Sequence, residues 1–225
     1  MKLALTADHK EFFLKNNYIE FEGLITPDQV AILKKNAEEA LASRLKLNAA
    51  RLGNQPVKEL FQAGYDLWRD NAIIKKTVQK KDFAILASEL FQVIPIRCAF
   101  DQYIYTAQGS VSPFSETFTL QESSCLSPLA GALILPLEDL MKPIPSFHMP
   151  LNVGSGLFIS PSLPIPWPEL FSTPNLSFLI IGYSGKKTMF SADTRDPHSA
   201  NLKMLGYVFN EFLKDSIHPI LIRKS

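Results

Sequence analysis

The residue types on which metal sites and disulfides depend are scarce in this chain. Two cysteines, Cys98 and Cys125, and four histidines, His9, His148, His198 and His218, occur in 225 residues. Two cysteines do not make a disulfide scaffold. There is no C-x-x-C pair, and the net charge is only +1, so a metal-responsive nucleic-acid binder is not expected. No apolar run approaches the ~20 residues that span a bilayer. The opening Met1-Lys2-Leu3-Ala4-Leu5 is cut short by Asp8, His9, Lys10 and Glu11, too early for a signal peptide. These absences predict a cytoplasmic protein without a nucleic-acid or membrane partner. No G-x-S-x-G elbow is present. Gly109-Ser110-Val111-Ser112 and Gly154-Ser155-Gly156 lack the lysine and following helix of a phosphate loop.

What remains is ordinary globular material, 46% hydrophobic and 20% charged, which excludes disorder as the default. The length suits one large domain or two small ones. Charge is dense and mixed in sign up to Arg97, whereas Glu169 is the only charged residue from Pro143 to Gly185. Nine of the 16 prolines lie from Pro136 to Pro174. The change near residue 95, through Val93-Ile94-Pro95-Ile96, is not a polar linker. The chain therefore reads as a single domain over 1–225. Residues 1–95 are its mainly helical support, and 96–225 form a mainly β core with a helix near 199–214.

Thr26-Pro27-Asp28-Gln29 predicts a capped helix start, with Ile25 and Val30 as a hydrophobic staple. Val30, Leu33, Ala37, Ala40 and Leu41 continue at helical spacing. Phe83, Leu86, Ala87, Leu90 and Phe91 mark a helix over Asp82 to Gln92, and Asp70 is positioned to cap a shorter one running to Gln79. Lys75-Lys76 and Lys80-Lys81 read as a solvated face. Alternation from Ile96 to Tyr105 predicts a half-buried strand, and the apolar run Leu129 to Leu135 a central one. Further strands are expected at Gly156–Ser160, Ser177–Tyr183, Thr188–Ala192 and Ile220–Ile222. Asp196-Pro197-His198 resembles a helix start, with Leu202, Leu205, Phe209, Phe212 and Leu213 as the buried face. Helices followed by strands make an α+β pattern, with a sandwich or barrel covered by helices.

Asn17-Tyr18-Ile19-Glu20-Phe21-Glu22-Gly23-Leu24-Ile25-Thr26-Pro27-Asp28-Gln29-Val30 resembles the opening strand and capped helix of phytanoyl-CoA-dioxygenase-like proteins, with Asn17 at the usual glycine. Trp68-Arg69-Asp70, Ile96-Arg97-Cys98-Ala99-Phe100-Asp101-Gln102 and Gly154-Ser155-Gly156-Leu157-Phe158-Ile159-Ser160 resemble later segments of that family in the same order. The resemblance implies a double-stranded β-helix core, jelly-roll or cupin-like. N-terminal helices would pack on one sheet, with a C-terminal helix beyond. It also implies Fe(II) held by two histidines and a carboxylate, with 2-oxoglutarate clamped by a basic residue.

The residues depart from that chemistry. Where the resemblance places H-x-D the chain reads Leu120-Gln121-Glu122, and where it places the second histidine stands Ile165. Lys186 and Lys187 are the nearest cations to the missing clamp. His9-Lys10-Glu11 fits H-x-[DE] but precedes the core. The expectation is a relative without its iron triad and without a cofactor, binding a small molecule or a protein. A residual pocket is expected at the barrel mouth, lined by Asp101, Tyr103, Gln121, Glu122 and Trp167. Trp167 would pack inside a rigid loop spanning Pro161 to Pro168. The charge-poor half suits an uncharged or partly apolar ligand, or a protein contact. The alternative is a working hydroxylase using Fe(II) and 2-oxoglutarate, with His148, Asp196 and His198 as ligands. Against it, Asp196 has a sufficient role as a helix cap and His148 stands alone on an apolar loop. Cys125 reads as a buried structural cysteine.

Overall fold

The computed structural model describes residues 4–107, 109–191, 196 and 198–223. Met1, Lys2 and Leu3 of the apolar opening, Ala192 of an expected strand and Pro197 of an expected helix start lie outside the described residues. Helix α1 (Ala7–Asn16) leads into strand β1 (Tyr18–Phe21), followed by helix α2 (Pro27–Arg44). The α2 start is the capping box expected from the sequence. Thr26 Oγ1 accepts from Gln29 N–H and Gln29 Oε1 accepts from Thr26 N–H, while Ile25 and Val30 are buried beside them. Two short helices follow, α3 (Val57–Ala63) and α4 (Ala72–Val78), then α5 (Lys81–Phe91). The cap of α4 is Asn71, whose Oδ1 accepts from Ile73 and Ile74 N–H. Asp70, expected in that role, instead pairs with Arg44 at 2.6 Å.

From residue 96 the chain turns to strands: β2 (Ile96–Tyr105), β3 (Phe118–Thr119), β4 (Leu126–Pro136), β5 (Gly156–Ile159), β6 (Pro164–Ile165), β7 (Ser177–Phe190) and β8 (Ile220–Ile222). One antiparallel sheet has the order β1-β5-β4-β7-β2-β8, and β3 pairs with β6 in a second, two-stranded sheet. Three short helices complete the chain, α6 (Leu120–Ser123), α7 (Trp167–Ser172) and α8 (His198–Met204).

Strand geometry sends alternate side chains to opposite faces, and both faces of the large sheet are covered. Cys98, Tyr103, Leu133, Leu135, Phe158, Leu179, Ile181 and Tyr183 pack against α1, α2 and α5 in one core. Phe100, Ile104, Ala132, Ile134, Leu157, Ile159, Phe178 and Ile180 face a second core with Phe118, Leu120, Ile165, Trp167 and Phe171. Burial on both faces explains why β4 reads as a continuous apolar run instead of alternating.

Two expected elements differ. The strands expected at Ser177–Tyr183 and from Thr188 are one strand, β7, interrupted by a bulge. The C-terminal helix is shorter than 199–214. Gly206 takes φ +84°, Gly206 N–H donates to Lys203 O and Tyr207 N–H to Leu202 O, the hydrogen-bond pattern that closes a helix at a left-handed residue. Leu202 and Leu213 are buried as expected, whereas Leu205, Phe209 and Phe212 are exposed.

A candidate site in the inner core

The inner face of the large sheet offers Phe100, Gln102 and Ile180. Gly182 makes room for the Phe100 ring, since a Cβ there would lie 2.5 Å from Phe100 Cε1. Over this floor sit Phe118, Trp167 and Phe171. The Phe118 and Trp167 rings stack at 5.6 Å, and Trp167 and Phe171 at 6.0 Å. Trp167 is 3% exposed and its Nε1–H donates to Phe118 O at 3.2 Å. It opens α7 directly, so the proline-rich stretch is a short strand and a helix start. The space left between floor and lid is about 30 Å³, lined by Tyr65, Phe100, Gln102, Leu120, Trp167 and Asp196 among others. That is room for a water molecule or two. Gln102 Nε2 donates to Phe61 O and Tyr103 O, while its buried Oε1 has no hydrogen-bond partner.

Register places the ligand positions suggested by the resemblance close together. β3 and β6 are antiparallel, with Phe118 opposite Ile165 and Thr119 opposite Pro164. Leu120 follows β3 directly, and both Leu120 and Ile165 are buried in the aromatic core. Neither side chain has a donor atom for a metal. Glu122 faces solvent and completes the α6 capping box, its Oε2 accepting from Thr119 N–H at 2.7 Å.

The other residues singled out from the sequence are dispersed. Of the five expected around a pocket, Trp167 lines the inner space. Asp101 and Tyr103 lie on the opposite, helix-covered face. Asp101 Oδ1 accepts from Trp68 N–H at 3.0 Å, and Tyr103 Oη is 3.0 Å from Ser177 Oγ. Gln121 ties down the start of β4, accepting from Leu129 N–H and donating to Leu126 O. His9 belongs to the α1 capping box with Thr6.

The triad His148, Asp196 and His198 is not assembled. His148 stands at the β1 edge, 2.8 Å from Glu20 and stacked on Tyr18. Asp196 and His198 lie at the other side, beside Cys125, Tyr65 and Asp66. Asp196 accepts from Cys125 N–H at 2.7 Å and His198 N–H at 2.8 Å, so it caps α8. These separate duties explain why three residues of the right type make no centre. Among the described residues, no group of three His, Cys, Asp or Glu is placed to hold a metal ion.

Sequence reasoning missed a buried polar layer beneath the C-terminal segment. Asp66, 2% exposed, takes φ +53°. It accepts from Arg69 Nε–H at 2.7 Å and Trp68 Nε1–H at 3.2 Å. His198 Nε2 lies 3.2 Å from Asp66 Oδ2 but is misaligned for a hydrogen bond. Arg97 donates to Asp215 and to His218 O. Burial, followed by the charge of Asp66, raises the Asp101 carboxyl well above the usual range. Burial likewise raises Asp196 and the thiol of Cys125, leaving Cys125 a poor nucleophile. No local spacing announces this layer, because its members are separated by up to 152 positions, from Asp66 to His218.

No family model and no curated protein matches the sequence. Solved structures do. The non-heme α-ketoglutarate-dependent carbocyclase SnoK from nogalamycin biosynthesis superposes with TM-score 0.71 at 11% identity, covering 97% of each chain. The chain has the fold of the Fe/2-oxoglutarate-dependent oxygenases. HygX from Streptomyces hygroscopicus, with nickel and 2-oxoglutarate bound, matches with TM-score 0.58 at 12% identity over 93% of this chain and 98% of that one. CT296 from Chlamydia trachomatis matches with TM-score 0.50 at 19% identity over 82% of this chain and 99% of that one. The curled antiparallel sheet is thus shared with enzymes of this fold. No helix is long and apolar enough to cross a membrane, among the described residues.

Proposed function

We propose that this chain is a phytanoyl-CoA-dioxygenase-like double-stranded β-helix protein that has given up the iron site and acts as a binding module. The observation that carries the reading is the pair Leu120 and Ile165. They occupy the positions the resemblance assigns to the ligand histidines, close together on or beside paired strands, and both are committed to the aromatic core. A site for Fe(II) needs imidazole and carboxylate donors around an accessible face. Here the nearby carboxylate, Glu122, holds a helix cap, and the remaining space is about 30 Å³. The residues present therefore do not fit the metal, and the space does not fit 2-oxoglutarate. Binding by such a module falls to its surface, where grooves wider than the inner space lie.

Thermal denaturation of the full chain tests this. Mn(II), as a stable surrogate for Fe(II), is added with and without 2-oxoglutarate, and the melting temperature is expected to stay unchanged. A site-specific ligand at 100 times its Kd adds about 2.7 kcal/mol, several degrees for a domain of this size. A shift of that size with Mn(II) and 2-oxoglutarate together would return the chain to the working oxygenases.

A further inference from the structure

We propose that the trough between the Val93–Pro95 turn and the Gly185–Thr188 bulge is a docking site for an acidic, partly apolar peptide segment of a partner protein. This deepens the binding-module reading and rests on it. The pairing of β4 with β7 passes from Leu129 opposite Ser184 to Ser127 opposite Met189. Over that interval β7 advances five residues (184 to 189) and β4 two (129 to 127), so three residues of β7 loop out of the sheet. Gly185 N–H donates to Thr188 Oγ1 at 3.2 Å, and Thr188 Oγ1–H donates to Pro128 O at 2.6 Å. The bulge is thereby fastened to the neighbouring strand, and its exposed residues are Lys186 and Lys187.

The facing wall is apolar: Val93, Ile94 and Pro95, with Pro128, Leu129 and Ala130 beneath. Ile94 is 54% exposed, an isoleucine held in solvent at the rim. The volume is about 420 Å³, and no carboxylate lines it. Two lysines thus face an aliphatic trough with no anion in the lining to answer them.

That combination selects the occupant. The lysines call for carboxylates and the trough for an aliphatic or aromatic side chain, which together describe an acidic segment with an apolar anchor. A small molecule is normally enclosed over most of its surface, whereas this trough is open along its length. Leu129 at its base is only 5% exposed, whereas Pro128 beside it and Ile94 at the rim stand in solvent, so a lipid surface is an outcome the test has to separate. The trough shares no lining residue with the inner space beside Trp167.

Fluorescence anisotropy on the full chain decides the proposal. The probes are three short fluorescein-labelled peptides: alternating glutamate and leucine, glutamate alone, and alternating lysine and leucine. The glutamate–leucine peptide is expected to bind, to weaken as salt screens the lysines, and to lose about tenfold or more in affinity against Lys186→Glu/Lys187→Glu. Ile94→Ser, which alters the rim alone, is expected to weaken it with the melting temperature unchanged. Failure of the glutamate–leucine peptide to bind would overturn the proposal, as would equal binding by the double variant or by the glutamate-only peptide. Preferential binding of phosphatidylserine vesicles would overturn it too. The metal and 2-oxoglutarate titration is a separate readout, so loss of the binding-module reading would show there without touching the peptide result.

Discussion

His198 lies flat against Tyr65, ring centroids 4.7 Å apart and 17° from parallel, with its Nε2 3.2 Å from Asp66. This contact holds α8 against the turn between α3 and Trp68, where the Asp66 carboxylate accepts from Trp68 and Arg69. Through these bonds Asp66 is the keystone of the polar layer. Asp66→Ala leaves the Arg69 guanidinium without its carboxylate in a largely buried setting. Removing one partner of such a pair costs about 3–5 kcal/mol, near 10 °C for a domain of this size at about 2–4 °C per kcal/mol. Calorimetry on the variant checks this, and a melting temperature within a degree or two of wild type would contradict the role.

His218 supplies a pH dependence. Burial, reinforced by the positive charges of Arg69 and Arg97, lowers its pKa to about 3 against the opposition of Asp66. Its Nδ1 is 2.8 Å from Tyr207 Oη. The folded state therefore keeps His218 neutral where the unfolded chain, with an ordinary pKa near 6.5, takes up a proton. Stability from this group is complete above pH ~6.5 and falls with pH down to about 3, by up to ~1.4 kcal/mol per pH unit. Urea denaturation at successive pH values should show a gentler acid loss for His218→Gln than for wild type. Parallel curves would reject the assignment.

Much of this architecture is written locally. Thr26, Pro27 and Gln29 specify a helix start through bonds spanning three residues, and the structure keeps them. The extent of β2 follows from its alternation in the same way, but the half-burial that alternation predicts does not hold, because helices cover one face and the aromatic core the other. The end of the last helix is misread from the pattern: the apolar spacing of Leu205, Phe209 and Phe212 carries it to 214, whereas Gly206 at φ +84° stops it. The bulge in β7 is not legible either, because it depends on where β4 happens to pair. The candidate site divides similarly. The missing histidines at Leu120 and Ile165 are visible as letters, but their mutual closeness comes from the β3–β6 pairing. Asp101 and Tyr103 were assigned to the wrong side for a pocket beside Trp167 because the residue that shifts the face, Ala99, lies at a bulge in β2 between Cys98 and Phe100.

Trp167 carries the last prediction. Its ring is buried between Phe118 and Phe171, and its indole N–H has a partner in Phe118 O. Trp167→Ala removes the packing, opens a void beside the existing space and takes away the indole donor to Phe118 O. Substitutions of this kind cost about 3–5 kcal/mol, again visible as a large fall in melting temperature. Trp167→Phe retains most of the apolar contact and gives up the hydrogen bond, a loss of about 1–2 kcal/mol. If the inner core is packing alone, an apolar probe the size of benzene, added to Trp167→Ala, should restore part of the lost stability by filling the void, as dry apolar cavities do. The wild type should show no such gain. An equal rise in both proteins would mean that the inner core of the native chain already admits a ligand, and the lid of Phe118, Trp167 and Phe171 would then be a door instead of a filling.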